Sequence, residues 1–307
     1  APDLENNSEY GIPQYTEGAI SGYQQSSPYD VDATVAVTAK IFSAQGTYEL
    51  SIVRPVDQIR SAFLSTAEMI RFIDGIYVTI ENKMKLAEEA LVSTAITTAM
   101  AMDINGGKVR NLLTEYNTLY PDAAITDEEV AMTDPDFLKY AAKQINQTVG
   151  YMQDMSEAYN VGGYMTFTDR ENLRVEMLAD AAASFDTYLM ADTFHNDLIK
   201  LPGFEKWNKW AWTGNAGGSF ATNSAIKVQH DDFIVAVTNP TGTIAQDGII
   251  AFVHDIEHVA AYFGHRRSWE IYNPKDDVYV HGETARKGYG VDPNANGVVF
   301  VVKYVAP

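Results

Sequence analysis

Residues 65–103, STAEMIRFIDGIYVTIENKMKLAEEALVSTAITTAMAMD, read as one helix, and no other feature limits the fold so strongly. Ser65 and Glu68 are spaced as a capping box, in which hydroxyl and carboxylate each satisfy a backbone N–H at the helix start. Met69, Ile73, Ile76, Ile80, Met84, Ala87, Leu91 and Ala95 recur at three- and four-residue steps, which places them on one face. At about 1.5 Å per residue, the helix would reach on the order of 50 Å, longer than a globular core normally needs. Such an element predicts an elongated molecule.

The remaining elements fall around this helix. Residues 1–32 are rich in Ser, Tyr, Gln, Gly and Pro with little periodicity, and read as an extended arm ordered only by packing on something else. TVAVTAKIF (34–42) and YELSIV (48–53) are β-rich, and SAQGT between them predicts a hairpin with Gly46 at its turn. INGGK (104–108) ends the long helix. VRNLLTEYNTLYPDAAITDEEVAMT follows as a short helix or strand plus loop. A second helix should begin at Asp134 with Pro135 in its first turn, carrying Leu138, Ala141, Ile145, Val149, Met152 and Met155 on one face. Thr168 and Glu171 form another capping box and predict a third helix through LRVEMLADAAASFDTYLM. DTFHNDLIKLPGFEKWNKW predicts a fourth, ended by Pro202-Gly203. From about 220 onward SAIKVQ, FIVAVT, GIIAFVHD, DDVYVHG and GVVFVVKYV read as strands between Gly, Asn and Pro turns. Helices first and strands later give the α+β class.

Composition narrows the function classes. With 22 Lys and Arg against 41 Asp and Glu, the net charge of −19 repels phosphate backbones, so nucleic-acid binding by the chain as a whole is not expected. GHRRSW (264–269) is the one dense basic spot and reads as a solvated strand edge. The absence of cysteine excludes disulfides and thiolate metal sites. A hydrophobic fraction of 46% supports a sizeable core, while no apolar run is long enough to span a membrane. The polar, acidic start shows no signal-peptide pattern.

One stretch could carry chemistry. HDIEH (254–258) matches H-x-x-E-H, in which His254 and His258 on one helical turn would hold zinc, with Glu257 as general base. The reading also needs a third ligand and an open position for water, and Ile249–Val253 looks like a strand running into His254. The plainer expectation puts these side chains on a surface turn or short helix, with no catalytic residue, metal or cofactor. TGNAGGSF (213–220) lacks the P-loop lysine, no G-x-S-x-G elbow occurs, and no acidic pair has a glycosidase context. The aromatic run WNKWAW (207–212) fits a subunit contact better than a sugar ladder. What remains is a free arm, a hairpin with no evident cover and an overlong helix. The first two are costly in a monomer, so the sequence points to assembly.

The order of RSAFLSTAEMIRFIDGIYVTIENKMKLAEEALV, VRNLLTEYN, TDPDFLKYAAKQI, ADTFHNDLIKLPGF and FGHRRSWEIYNPKDDVYVHGE through ANGVVFVVKYV resembles major capsid proteins of tailed bacteriophages, from about residue 33 to the C-terminus. The resemblance implies the HK-97-like capsid fold. It would have an N-terminal arm (1–33), an extended loop hairpin (34–60), a peripheral domain with the spine helix (61–103), an axial domain (104–260) and a return to the peripheral domain (261–307). It implies a structural protein, not an enzyme, that assembles with itself as hexamers and pentamers into an icosahedral shell around double-stranded DNA. Scaffolding and portal proteins would be partners during assembly in the bacterial cytoplasm, with decoration proteins as further partners and no membrane. HDIEH would then be a connector. Lys40 lies near the expected extended loop, but no motif marks it as the cross-linking lysine of some family members. The competing readings are a zinc hydrolase at HDIEH and a surface-binding module gripping its target with the 18 tyrosines and the tryptophans.

Overall fold

The long helix is present as α1, Thr66–Asn105, in a computed structural model that describes residues 46–57, 66–190, 204–210, 220–229 and 243–303. All of these belong to one structural unit, Ser43–Pro307. The two halves of α1 live in different surroundings. In its first half Ile80 and Met84 are buried singly between exposed residues, as on a surface helix with one apolar stripe. Thr94 is the last exposed position. Beyond it Ala95, Ile96, Ala99, Met100, Ala101 and Met102 are all buried, so the second half runs through a core. The helix closes in a Schellman arrangement, with Lys108 N–H donating to the Asp103 carbonyl (2.7 Å), Gly107 N–H to that of Ile104 (3.1 Å), and Gly107 at φ 74°.

The buried half of α1 packs on a five-stranded sheet. Its strands are β2 (Val109–Asn111), β3 (Leu173–Leu178), β4 (Phe204–Trp207), β7 (Ile249–Asp255) and β10 (Gly297–Val301), in the order β2-β10-β7-β3-β4. β7 is antiparallel to both neighbours, and the two outer pairs are parallel. β10 is buried throughout and β7 nearly so, because both faces are covered, which is why they read as unbroken apolar runs. Helices α2 (Leu112–Leu119), α3 (Glu128–Ala131), α4 (Pro135–Tyr151) and α5 (Ala179–Met190) complete this region. α4 starts as its sequence predicts: the Asp134 carboxylate accepts from Asp136 and Phe137 N–H, with Pro135 in the first turn. Leu138, Ala141, Ile145, Val149 and Met152 are buried, while Met155 lies beyond the helix and is exposed. After the short α6 (Phe220–Asn223), β5 (Ile226–Gln229) and β6 (Thr243–Gln246) form a separate antiparallel pair.

A second sheet lies on the first half of α1. It consists of β1 (Gly46–Pro55), β8 (Val259–Asn273) and β9 (Val278–Val291), antiparallel, with β9 in the middle. Tyr48, Leu50 and Ile52 of β1, Phe263 of β8 and Ala285 of β9 meet Ile76, Ile80 and Met84 of α1. Val53, Ile271 and Tyr279 are exposed.

Several sequence expectations change here. Gly46 is not a turn residue; it opens β1 opposite Lys287. Among the described residues the partner of β1 is β9, far away in sequence. The helix expected from Thr168 begins only at Ala179, because Leu173–Leu178 is a strand held between β7 and β4. Pairing on both sides outweighs the weak helix preference of LRVEML. Phe204–Trp207, just past the Pro202-Gly203 end expected for the fourth helix, is strand β4 against β3. The strand expected near the C-terminus is β10, and it lies in the five-stranded sheet. The arm at 1–33, segment 34–42 with Lys40, the cap residue Ser65, the fourth helix up to residue 203, FIVAVT and all of TGNAGGSF before Phe220 lie outside the described residues.

Candidate functional site

HDIEH spans the junction of the two sheets. β7 ends at Asp255, residues 256–258 form a turn, and β8 starts at Val259. The Asp255 carboxylate shapes this turn by accepting from Glu257 N–H (2.8 Å) and from the Thr168 hydroxyl (2.6 Å), while His258 N–H donates to the Asp255 carbonyl (3.0 Å). The two imidazoles thus stand at a strand end and a turn end, not on one helical face as a zinc-binding H-x-x-E-H requires.

Each ring is buried beside a different carboxylate. His254 stacks on Phe252 with ring centroids 4.6 Å apart, and its Nε2 lies 3.8 Å from Glu176 of β3. Glu176 in turn accepts a hydrogen bond from the Trp207 indole N–H. His258 is wholly buried, with Nδ1 2.8 Å from the Asp292 carbonyl and Nε2 3.2 Å from Asp103 near the end of α1. Burial alone would lower the His258 pKa, but the charge and hydrogen bond of Asp103, with the Asp292 carbonyl, outweigh it and hold the imidazole above its ordinary value. Glu257 is exposed. Among the described residues no group of three or more His, Asp or Glu is placed to hold a metal ion. The expected surface turn is present, but of the three candidate residues only Glu257 faces solvent; the histidines are interior groups.

Two other singled-out stretches also resolve. Trp210 is a core residue: its indole N–H donates to the Ile249 carbonyl (2.9 Å), and its own carbonyl accepts from the Ser93 hydroxyl (2.9 Å). Trp207 and Trp210 are thus internal anchors in place of the expected subunit contact, and Trp212 lies outside the described residues. In GHRRSW a register shift between Gly264 and Arg267, with His265 at φ 50°, turns Arg266 toward two carboxylates. Arg266 meets Glu81 of α1 and Glu283 of β9, both at 2.8 Å, so the expected solvated edge is an ionic clasp between sheet and helix. Its hydrogen bond holds Glu81 below the usual carboxylate range. Sequence reading missed Asp103 and Glu176, which had no local signal.

A family model described as Phi29-like phage major capsid protein matches residues 33–301. No curated protein matches the chain. The capsid structure of Staphylococcus phage Andhra is similar at 11% identity and a TM-score of 0.56, covering 87% of this chain and 72% of that one. A chain in the structure of the head fiber and inner core protein gp22 of native bacteriophage P68 is similar at 16% identity and a TM-score of 0.52, covering 86% and 72%. At these identities the likeness is one of fold.

Proposed function

Because the chain belongs to the Phi29-like phage major capsid protein family, whose members form the capsid shell, we propose that it assembles as hexamers and pentamers of itself into an icosahedral shell around double-stranded DNA. The observation that carries this reading is the three-stranded sheet. One face rests on α1, while Val53, Ile271 and Tyr272 remain exposed and β1 and β8 are its edge strands among the described residues. Exposed apolar side chains and strand edges are what neighbouring copies would cover. In this reading β8, β9 and the spine helix α1 serve as the peripheral domain, which β1 joins from the extended loop at 34–60, and the five-stranded sheet with α2–α5 serves as the axial domain. The arm at 1–33 and the loop at 34–60 reach neighbouring subunits. Scaffolding and portal proteins guide assembly in the bacterial cytoplasm, and decoration proteins bind the finished shell.

Charge supports the same reading. A net charge of −19 makes copies repel one another, so apolar contacts must drive assembly, and added salt should favour it by screening. A shell wall of the same sign as DNA would not trap the genome during packaging. Light scattering with negative-stain imaging of the full chain tests the proposal. Rings, sheets or closed shells are expected; a species of one or two chains at every salt concentration, with scaffold supplied, would overturn it.

A further inference from the structure

The buried His258 environment requires a proton. A backbone carbonyl only accepts, so Nδ1, 2.8 Å from the Asp292 carbonyl, carries hydrogen. In a neutral ring Nε2 would then present a lone pair to the Asp103 oxygen 3.2 Å away. Both side chains are fully buried, and among the described residues the Asp103 oxygens have no other hydrogen-bond donor. An ionised carboxylate facing a lone pair in such a place is strongly unfavourable, and one proton held between them removes the conflict.

The pair sits where it can control the second sheet. His258 immediately precedes β8, and Asp292 immediately follows β9, so the two residues form the root of the β8–β9 hairpin. Asp292 N–H also donates to the His258 carbonyl (3.0 Å), closing that root. Asp103 belongs to α1. Gly297 leaves the space: a Cβ there would lie 2.1 Å from the Asp103 carboxylate and 2.9 Å from His258 Nε2. We propose that the Asp103–His258 pair is a proton-dependent latch that pins the root of the β8–β9 hairpin to the end of helix α1.

The other titratable groups nearby are already engaged. The Asp292 carboxylate accepts from Asn294 N–H (3.0 Å), and that of Asp255 from Thr168 and Glu257. His254, with its ring centroid 6.1 Å from that of His258, faces Glu176, which Trp207 also holds. A histidine whose folded pKa is raised contributes stability that is complete below its unfolded value near 6.5 and is lost as pH rises through the folded value.

Amide hydrogen exchange of the full chain, corrected for intrinsic rates, tests the latch. Between about pH 6 and 9, protection of residues 259–263 and 287–291 should fall by up to about tenfold per pH unit once above the ordinary histidine value, the slope of one linked proton. A flat profile overturns the proposal. In Asp103→Asn the amide can donate to a neutral Nε2, so the slope should vanish; a slope equal to that of the parent overturns it. If that variant does not fold, His258→Gln, whose amide donates to Asp103 at every pH, gives the same two outcomes. His254→Asn should keep the slope, and its loss there would assign the proton elsewhere.

Discussion

The two sheets share one helix but are stabilised differently. Around the five-stranded sheet, buried side chains from α1, α2, α4 and α5 join in one continuous core that includes Phe137, Phe252, Phe300 and Trp210. Around the three-stranded sheet, the separate cluster of buried apolar side chains consists of Ile80, Met84 and Ala285, with five partly buried neighbours, among the described residues. Strand β8 shows the consequence, since none of its fifteen residues is buried. A sheet that rests on a single helix through so few buried side chains has only a small core of its own. The first region thus carries a large core of its own, while the second is the one that the proposed shell contacts would complete.

The largest effect should come from the first region. Phe252→Ala removes a fully buried ring and should cost about 3–5 kcal/mol, lowering protection in both sheets. Chemical denaturation measures the loss, and a cost near that of a surface change would erase the contrast. Met84→Ala should cost about 2 kcal/mol and raise exchange chiefly in β1, β8 and β9, leaving β7 and β10 protected. Equal loss in both sheets would show that they unfold as one unit. Asp134→Ala removes the α4 cap and should cost about 1 kcal/mol, seen as a lower melting temperature with little change at β8 and β9.

Arg266→Ala should have the smallest effect, below that of the lost cap, because the clasp is largely exposed and screened by solvent. Its signature is pH dependence. Glu81 is held below the usual carboxylate range, so the contribution is present above the unfolded carboxylate value and lost as pH falls through the folded one. Parent and variant melting temperatures should converge in acid, and a constant difference would refute the assignment.

The same contrast explains what the sequence can reveal. Helix α1 is legible because its period is long and regular, and β7 and β10 because burial on both faces writes a continuous apolar run. Asp134-Pro135 announces α4 through local capping chemistry. β3 is hidden because LRVEML suits a helix locally and becomes a strand only between β7 and β4. The partner of β1 is hidden because Tyr48 meets Ala285 across most of the chain. HDIEH stands out as a concentration of chemistry, yet its meaning depends on Asp103 and Glu176, carboxylates that no spacing connects to it.

Whether the three-stranded sheet needs its neighbours can be read from amide exchange in assembled shells and in unassembled subunits of the same full chain. Protection should rise mainly in β1, β8 and β9 on assembly, while β7 and β10 are already protected in the free subunit. Equal protection of the three-stranded sheet in both states would contradict this, because that sheet would then be complete without a neighbour.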